Sequence, residues 1–376
     1  MIDFQKLPSP CFVLDEQLLD RNLAVIDRVR RESGAEVIVA LKACAMWSIF
    51  PELAQHSDGA TASSLAEARL VFEEFGRPAH TYAPVYTDRN IEEILDCSDH
   101  ITFNSVAQFE RFGQMALLRG ISCGLRINPG YSPVETDLYN PCVPGSRLGI
   151  PAGELKELPA GVEGLHFHVL CESRPEHLRL ALDAVEKRFG RFLDRIKWLN
   201  MGGGHLMTHK DYDCDELIRI LQEFKAKYPN LRLILEPGSA FTWRTGYLVS
   251  TVEDIVENGG VRTAMLDVSF ACHMPDCLEM PYKPAILGAR DPEPGEKGWR
   301  MGGNSCLAGD YYGDWIFDRD LRVGDRIVFE DMIHYTMVKT TMFNGVHHPS
   351  IVIARRDGRT DVIREFGYED FRNRMS

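Results

Sequence analysis

Between residues 37 and 236, short β-branched runs take turns with amphipathic helical stretches. Strand-type runs fall at 37–42, 59–62, 81–85, 101–104, 124–128, 162–169, 196–201 and 231–236. Most of the intervening gaps carry helical spacing of apolar residues, as at 105–118, 176–193 and 215–227. Ser64-Leu-Ala-Glu67 is a capping box, and the alanine- and leucine-rich run behind it reaches Phe75. Eight strands alternating with helices over roughly two hundred residues predict a (β/α)8 barrel, the TIM-barrel architecture. A doubly wound open sheet is the competing arrangement, but no GxGxxG follows a strand and opens a helix, so the dinucleotide fingerprint is missing.

After Gly238 the texture changes. Residues 246–257, 261–268, 326–330 and 351–355 are β-branched runs separated by glycine, proline and charged turns, which predicts an all-β domain. Residues 293–303, rich in Gly, Pro and charge, read as an exposed loop. The length of 376 residues also favours one large domain with a smaller companion. A net charge of -13 argues against nucleic acid and suits a cationic ligand. The first residues lack the basic and apolar regions of a leader, and no eighteen-residue apolar run marks a membrane span. Ten cysteines without a CxxC pair fit a reduced, cytoplasmic protein. Cys272-His273 and His347-His348 are adjacent pairs without ligand spacing, so no metal site is expected.

The candidate chemistry gathers at the carboxyl ends of the barrel strands. Lys42 closes Glu36-Val-Ile-Val-Ala-Leu-Lys-Ala43, and lysine is rarely buried without a partner or a task. Desolvation lowers an ammonium pKa and frees the amine to attack a carbonyl, giving a Schiff base. A lysine that merely starts a solvated loop is the plainer reading. Met201-Gly-Gly-Gly204 offers converging backbone N–H groups to a phosphate, or is only a tight turn. Leu235-Glu-Pro-Gly238 adds a carboxylate and another close-approach glycine. His166 and His168 alternate along one strand and so share a face, the barrel interior, where hydrogen-bonded core histidines are the ordinary occupants. Arg126 and Asn128 end the fifth strand. A buried amine, a glycine nest, a strand-borne carboxylate and flat histidines together describe pyridoxal phosphate chemistry.

At this point the chain resembles a known family, the fold-type III pyridoxal phosphate decarboxylases, which include ornithine, arginine and diaminopimelate decarboxylases. Ala40-Leu-Lys-Ala-Cys44, Gly164-Leu-His-Phe-His-Val-Leu-Cys-Glu172 and Gly302-Gly-Asn-Ser-Cys-Leu-Ala-Gly-Asp310 place it nearest the carboxynorspermidine/carboxyspermidine branch. The resemblance covers essentially the whole chain. It implies a barrel over 16–243, and a β-domain of alanine racemase type formed by 1–15 with 244–376. It implies that Lys42 is the Schiff-base lysine and that His168 stacks on the cofactor ring. Gly203, Gly204 and Gly238 would cup the phosphate, Glu236 would pair with the pyridine nitrogen, and Tyr335 would touch the phosphate. Cys306 and Asp310 would reach a neighbouring subunit's site across a homodimer interface, Cys306 as a catalytic group and Asp310 as a substrate contact.

One position departs from the pattern. Where ornithine and diaminopimelate decarboxylases usually read Glu-Pro-Gly-Arg, this chain has Ser239. A hydroxyl still bonds phosphate, but the guanidinium is gone, which counts against diaminopimelate with its second carboxylate. The expected reaction is decarboxylation of carboxynorspermidine or carboxyspermidine, with Arg126, Asp310, Asp276 and Glu279 as candidate substrate contacts. The competing readings are a decarboxylase of ornithine, lysine or diaminopimelate, and a non-catalytic pyridoxal phosphate-binding regulator.

Overall fold

The computed structural model describes residues 2–376, and the chain divides into two compact units. Asn22–Phe241 forms one, and residues up to Arg21 join Thr242–Ser376 in the other. The division therefore runs inside the first long helix, Glu16–Ser33, instead of ahead of it.

The strands, in chain order, begin with β1 (Cys11–Asp15), β2 (Glu36–Ala40), β3 (Gly59–Ala62), β4 (Ala79–Tyr82), β5 (Ser98–Phe103) and β6 (Ser122–Asn128). They continue with β7 (Ile150–Pro151), β8 (Val162–His166), β9 (Trp198–Asn200) and β10 (Arg232–Leu235). In the first unit the order is β5-β4-β3-β2-β10-β9-β8-β6, with β6 pairing back onto β5, so eight parallel strands close a barrel. The barrel is a packed interior. Val37, Ile38 and Val39 are fully buried, and Trp198 fills the centre against Ile38 and Ile234. Gly124 and Gly164 make room for it, because a Cβ at either would lie 2.2 or 2.0 Å from the indole.

Three strand ends differ from the sequence reading. The run 81–85 is displaced to Ala79–Tyr82, because Pro84 has no N–H to give the ladder. Lys42 lies beyond β2 in a turn closed by Ala43 N to Ala40 O at 3.1 Å and Cys44 N to Leu41 O at 3.1 Å. His168 likewise lies past β8, whereas His166 ends it.

A polar layer closes the amino-terminal end of the barrel. Trp198 Nε1 donates to Ser122 Oγ at 2.9 Å, Ser122 Oγ to Glu163 Oε2 at 2.7 Å, and Arg232 Nε to Glu36 Oε1 at 2.7 Å. His80 and His100 stack with ring centroids 3.9 Å apart, and Asp99 Oδ1 is 2.7 Å from His100 Nδ1. His80, Asp99 and His100 offer ligand atoms within 4.8 Å of one another. A nitrogen of each ring faces the same oxygen, Asp99 Oδ1, at 3.7 Å from His80 Nε2 and 2.7 Å from His100 Nδ1.

The second unit adds β11 (Gly246–Asn258), β12 (Val261–Leu266), β13 (Ala289–Arg290), β14 (Trp299–Gly302), β15 (Tyr311–Phe317), β16 (Arg326–Glu330), β17 (Ser350–Ala354) and β18 (Thr360–Arg364). Their sheet runs β13-β15-β14-β12-β11-β1-β17-β18, with β16 also on β11. The amino-terminal β1 lies mid-sheet, antiparallel to β11 and parallel to β17. The expectation of an exposed loop over 293–303 fails for its last residues. β14 is a strand between β12 and β15, with Trp299 and Met301 buried. Its four residues are too few to show alternation beside the Gly- and Pro-rich stretch before them. No described helix is long and apolar enough to cross a membrane, and all ten cysteines are free.

Candidate active site

The carboxyl ends of the barrel strands bring Lys42, Arg126, His168, the 202–204 glycines and Glu236 into one hydrogen-bonded group. The turn bearing Lys42 is pinned on both sides, by Leu41 N to Thr61 O at 3.2 Å and by Ala40 N to Pro237 O at 3.1 Å. Lys42 is exposed by surface area, yet protein surrounds it closely enough to desolvate the amine. That desolvation pushes its pKa below the ordinary value of 10.5, with Glu236 opposing and Arg126 assisting.

His168 decides which form of the amine fits. Its Nδ1 lies 2.9 Å from Gly203 N, which is only a donor, so Nδ1 carries the lone pair. The neutral ring then bears its proton on Nε2, 3.2 Å from Lys42 Nζ. A hydrogen bond there requires a lone pair on Nζ, which only the free amine has. Desolvation holds His168 well below its ordinary pKa, consistent with a neutral ring.

Glu236 follows β10 and is buried, with its N–H on Gly202 O at 2.8 Å. Asn200 Nδ2 donates to its Oε1 at 2.6 Å, and His166 Nε2 stands 3.5 Å from its Oε2. Burial alone would raise its pKa. His166 and Asn200 outweigh that and keep the carboxyl below the usual range.

The glycines are demanded by space. A Cβ on Gly203 would lie 2.4 Å from Glu236 O, and one on Gly238 2.6 Å from the Ala43 Cβ. Gly204 also takes a φ of +92°. Ser239 follows, at the start of the short turn Ser239–Thr242. Arg126 is buried; its Nη2 donates to His168 O at 3.1 Å and its guanidinium lies 4.7 Å from the Tyr82 ring centroid.

The other sequence candidates lie in the sheet unit. Asp310 is buried, with Oδ1 accepting from Ala271 N at 3.0 Å and Oδ2 from Ser305 N at 3.0 Å, so it shapes the 303–310 loop. That loop leaves Cys306 exposed, its N–H on Asn344 Oδ1 at 2.8 Å. Asp276 is buried, with Tyr282 Oη at 2.8 Å and Thr336 Oγ1 at 2.9 Å both on Oδ2, while Oδ1 has no partner. Glu279 pairs with Lys339 at 2.6 Å on the surface, and half-buried Tyr335 begins the turn Tyr335–Val338.

Sequence reasoning passed over Asn200 and the electrostatic part of Glu67. Asn200 carried a signal, as a polar residue at the end of an apolar strand just before the glycines. Glu67 read only as a helix cap, and it does accept from Ser63 N at 2.6 Å. Burial raises its pKa, while the Ser63 N–H and the Lys42 charge oppose.

A desolvated lysine, a glycine cradle and a buried ionised carboxylate at the carboxyl face of a barrel define a pyridoxal phosphate enzyme. The model of the pyridoxal-dependent decarboxylase family, described by its C-terminal sheet domain, matches residues 11–333, and the chain belongs to that family. It is 55% identical over 370 residues to the carboxyaminopropylagmatine decarboxylase of Synechocystis sp., covering 98% of this chain and 96% of that one. It is 40% identical to the carboxynorspermidine/carboxyspermidine decarboxylase of Campylobacter jejuni, over 98% of each chain. The crystal structure of carboxynorspermidine decarboxylase complexed with norspermidine from Campylobacter jejuni superposes with a TM-score of 0.90 at 38% identity, over 98% of this chain and 100% of that one. A Helicobacter pylori diaminopimelate decarboxylase shares the fold, with a TM-score of 0.81 at 19% identity.

The cofactor of this family is pyridoxal phosphate, and the residues fit it. Gly204 and Gly238 are too close-packed for a side chain, Lys42 has a lowered pKa, and Glu236 is held as an anion. Borohydride treatment of the purified protein is expected to fix the cofactor to Lys42. Gly203→Ala, crowding Glu236 O, should lower cofactor affinity at least tenfold with the fold intact. Mass spectrometry that placed the adduct on another lysine, or a Gly203→Ala protein that kept wild-type affinity, would contradict this assignment.

Proposed function

We propose that this enzyme decarboxylates a carboxylated polyamine, an amino acid whose side chain is an extended cationic amine. The observation that carries this reading is Asp276, a buried carboxylate with one oxygen saturated by hydroxyls and the other without a partner. A buried acceptor without a donor is costly, and a cationic substrate tail supplies the donor. Two relatives support the class by their names, at 55% and 40% identity. The higher identity favours an agmatine-derived tail, ending in guanidinium, ahead of the amine tails expected from sequence alone. Glu279, already paired with Lys339, and Asp310, engaged with backbone N–H groups, are secondary candidates for lining that end. Ser239 leaves out the guanidinium that a second substrate carboxylate would need.

Each residue then has a task at a stated atom. Lys42 presents a neutral Nζ as nucleophile and leaving amine. Gly203, Gly204, Gly238, Ser239 and Tyr335 bind phosphate, and His168 packs on the ring face. Arg126 has guanidinium N–H groups beyond the one on His168 O to orient the substrate. The chemistry supplied by bound pyridoxal phosphate is a carbonyl carbon for the amine and a ring that takes up the electron pair left by the departing carboxylate. Glu236 holds the proton of the ring nitrogen as that charge develops. A proton from Lys42, or from the thiol of Cys306, then replaces carbon dioxide on the α-carbon.

We further infer a two-fold homodimer working in the cytoplasm, in which the sheet unit of one chain completes the pocket around Lys42 of its partner. Cys306 supports it: an exposed thiol on a glycine-rich loop with reactive neighbours but no pocket motif of its own. A two-fold interface supplies such a surface twice.

Carbon dioxide release from a substrate panel tests the first reading. Carboxyaminopropylagmatine, carboxynorspermidine and carboxyspermidine should turn over, with preferences among tails differing by about 10–200-fold per methylene or less. Ornithine, lysine and diaminopimelate should be poorer by at least a further factor of ten. Turnover of diaminopimelate above all the polyamines would sink it.

Subunit mixing tests the second. Lys42→Ala and Cys306→Ala homodimers should each be nearly inactive. Re-equilibrated together they should recover about a quarter of wild-type activity, since half the mixture is heterodimer with one intact site of two. No recovery despite proven exchange means that each site is built within one chain.

A further inference from the structure

His166 ends β8 with only 1% of its surface exposed, deeper than any other ionisable group of the site. Neither ring nitrogen has a hydrogen-bond partner of full geometry. Burial lowers its pKa, with Glu236 opposing, so the ring is neutral and carries one N–H. The groups facing it are the ring of Tyr82 on β4, centroid to centroid 5.2 Å, and Glu236, whose Oε2 is 3.5 Å from Nε2. Arg126 on β6 acts on it at longer range with positive charge, which further disfavours a second proton, and Lys42 lies beyond. Among these neighbours Glu236 is the acceptor, so the N–H belongs on Nε2.

Glu236 is thus flanked on two sides: Asn200 Nδ2 donates to Oε1 at 2.6 Å, and His166 Nε2 stands 3.5 Å from Oε2. Asn200 is itself locked, its Oδ1 accepting from Gly202 N at 2.9 Å. A carboxylate facing a pyridine nitrogen shares one proton with it, and that proton resides on the stronger base. Donors to the carboxylate weaken it as a base.

We infer that His166 is a positioning residue for Glu236, its Nε2–H acting with Asn200 to keep the shared proton on the cofactor ring nitrogen and off the carboxylate. The inference rests on the reading of Glu236 given above. It gives His166 a role that a core histidine, satisfied by packing alone, would not have.

The test replaces His166 by Phe, which keeps a ring of similar size against Tyr82 and removes the donor. With ring-¹⁵N-labelled pyridoxal phosphate, the bound cofactor should move from the pyridinium toward the neutral-pyridine nitrogen shift in H166F, with borohydride still fixing it to Lys42. The kcat should fall roughly ten- to hundred-fold, the scale of one hydrogen bond to a charged group, with KM changed only a few-fold. His166→Gln, which restores an N–H donor, should recover most of both readouts. If H166F does not fold, His166→Leu serves in its place. A wild-type nitrogen shift and kcat in H166F, while Glu236→Gln is severely impaired, overturns the inference alone. Full turnover by Glu236→Gln overturns the reading of Glu236 and the inference with it.

Discussion

The short chain from Gly203 N through the His168 ring to Lys42 Nζ is the constraint on which the site depends. A backbone N–H cannot accept, so it selects the tautomer of His168, and the tautomer selects the free amine of Lys42. The Gly203 N–H therefore also sets the protonation of Lys42 through one intervening ring. Desolvation acts in the same direction, and Glu236 against it. Glu236 has its own neighbours: Asn200 donates to Oε1, and His166 Nε2 stands 3.5 Å from Oε2.

The barrel separates its polar work by end. At the amino-terminal end, Glu36–Arg232, the Trp198–Ser122–Glu163 chain and the His80–His100 stack satisfy one another and present no open position. At the carboxyl end, Arg126, His166 and Glu236 are buried, and both ring nitrogens of His166 lack a hydrogen-bond partner. Buried polar groups are costly when unpaired, so this end gives up stability that the apolar middle, centred on Trp198, supplies. Incomplete satisfaction at one end of a closed barrel is what marks the site. Asp276 shows the same feature in the sheet unit, where a carboxylate oxygen lacks a donor while its neighbours are saturated.

Much of this was legible in the chain. The eight barrel strands were visible because parallel strands buried on both faces are continuous β-branched runs, and Lys42, Glu236 and the glycines stood at their ends. Strand limits were less legible: the turn after Ala40 depends on hydrogen bonds to Thr61 and Pro237, remote in sequence. β14 escaped because four residues are too short to alternate. His166 and His168 looked equivalent by period, yet one ends a strand with its Nε2 3.5 Å from the Glu236 carboxylate while the other lies beyond it and meets the lysine. Asp310 carried a substrate role by resemblance, whereas its oxygens hold the backbone of their own loop. The difference lies in partners, and partners far along the chain leave no local trace. The substrate tail was the least legible feature, since an amine and a guanidinium ask for the same anion and differ only in shape.

The central claim is that the folded chain itself holds Lys42 as a free amine. Its most direct test is trace labelling of the cofactor-free protein with acetic anhydride across pH, with mass spectrometry of the Lys42 peptide against a peptide-lysine standard. Because the folded pKa is depressed, Lys42 loses its proton at lower pH than the standard, so its reactivity should reach its plateau earlier as pH rises. The account predicts a midpoint clearly below 10.5, and a rise toward that value when His168→Phe removes the Nε2–H donor. A midpoint at or above 10.5 in the wild-type protein would contradict it.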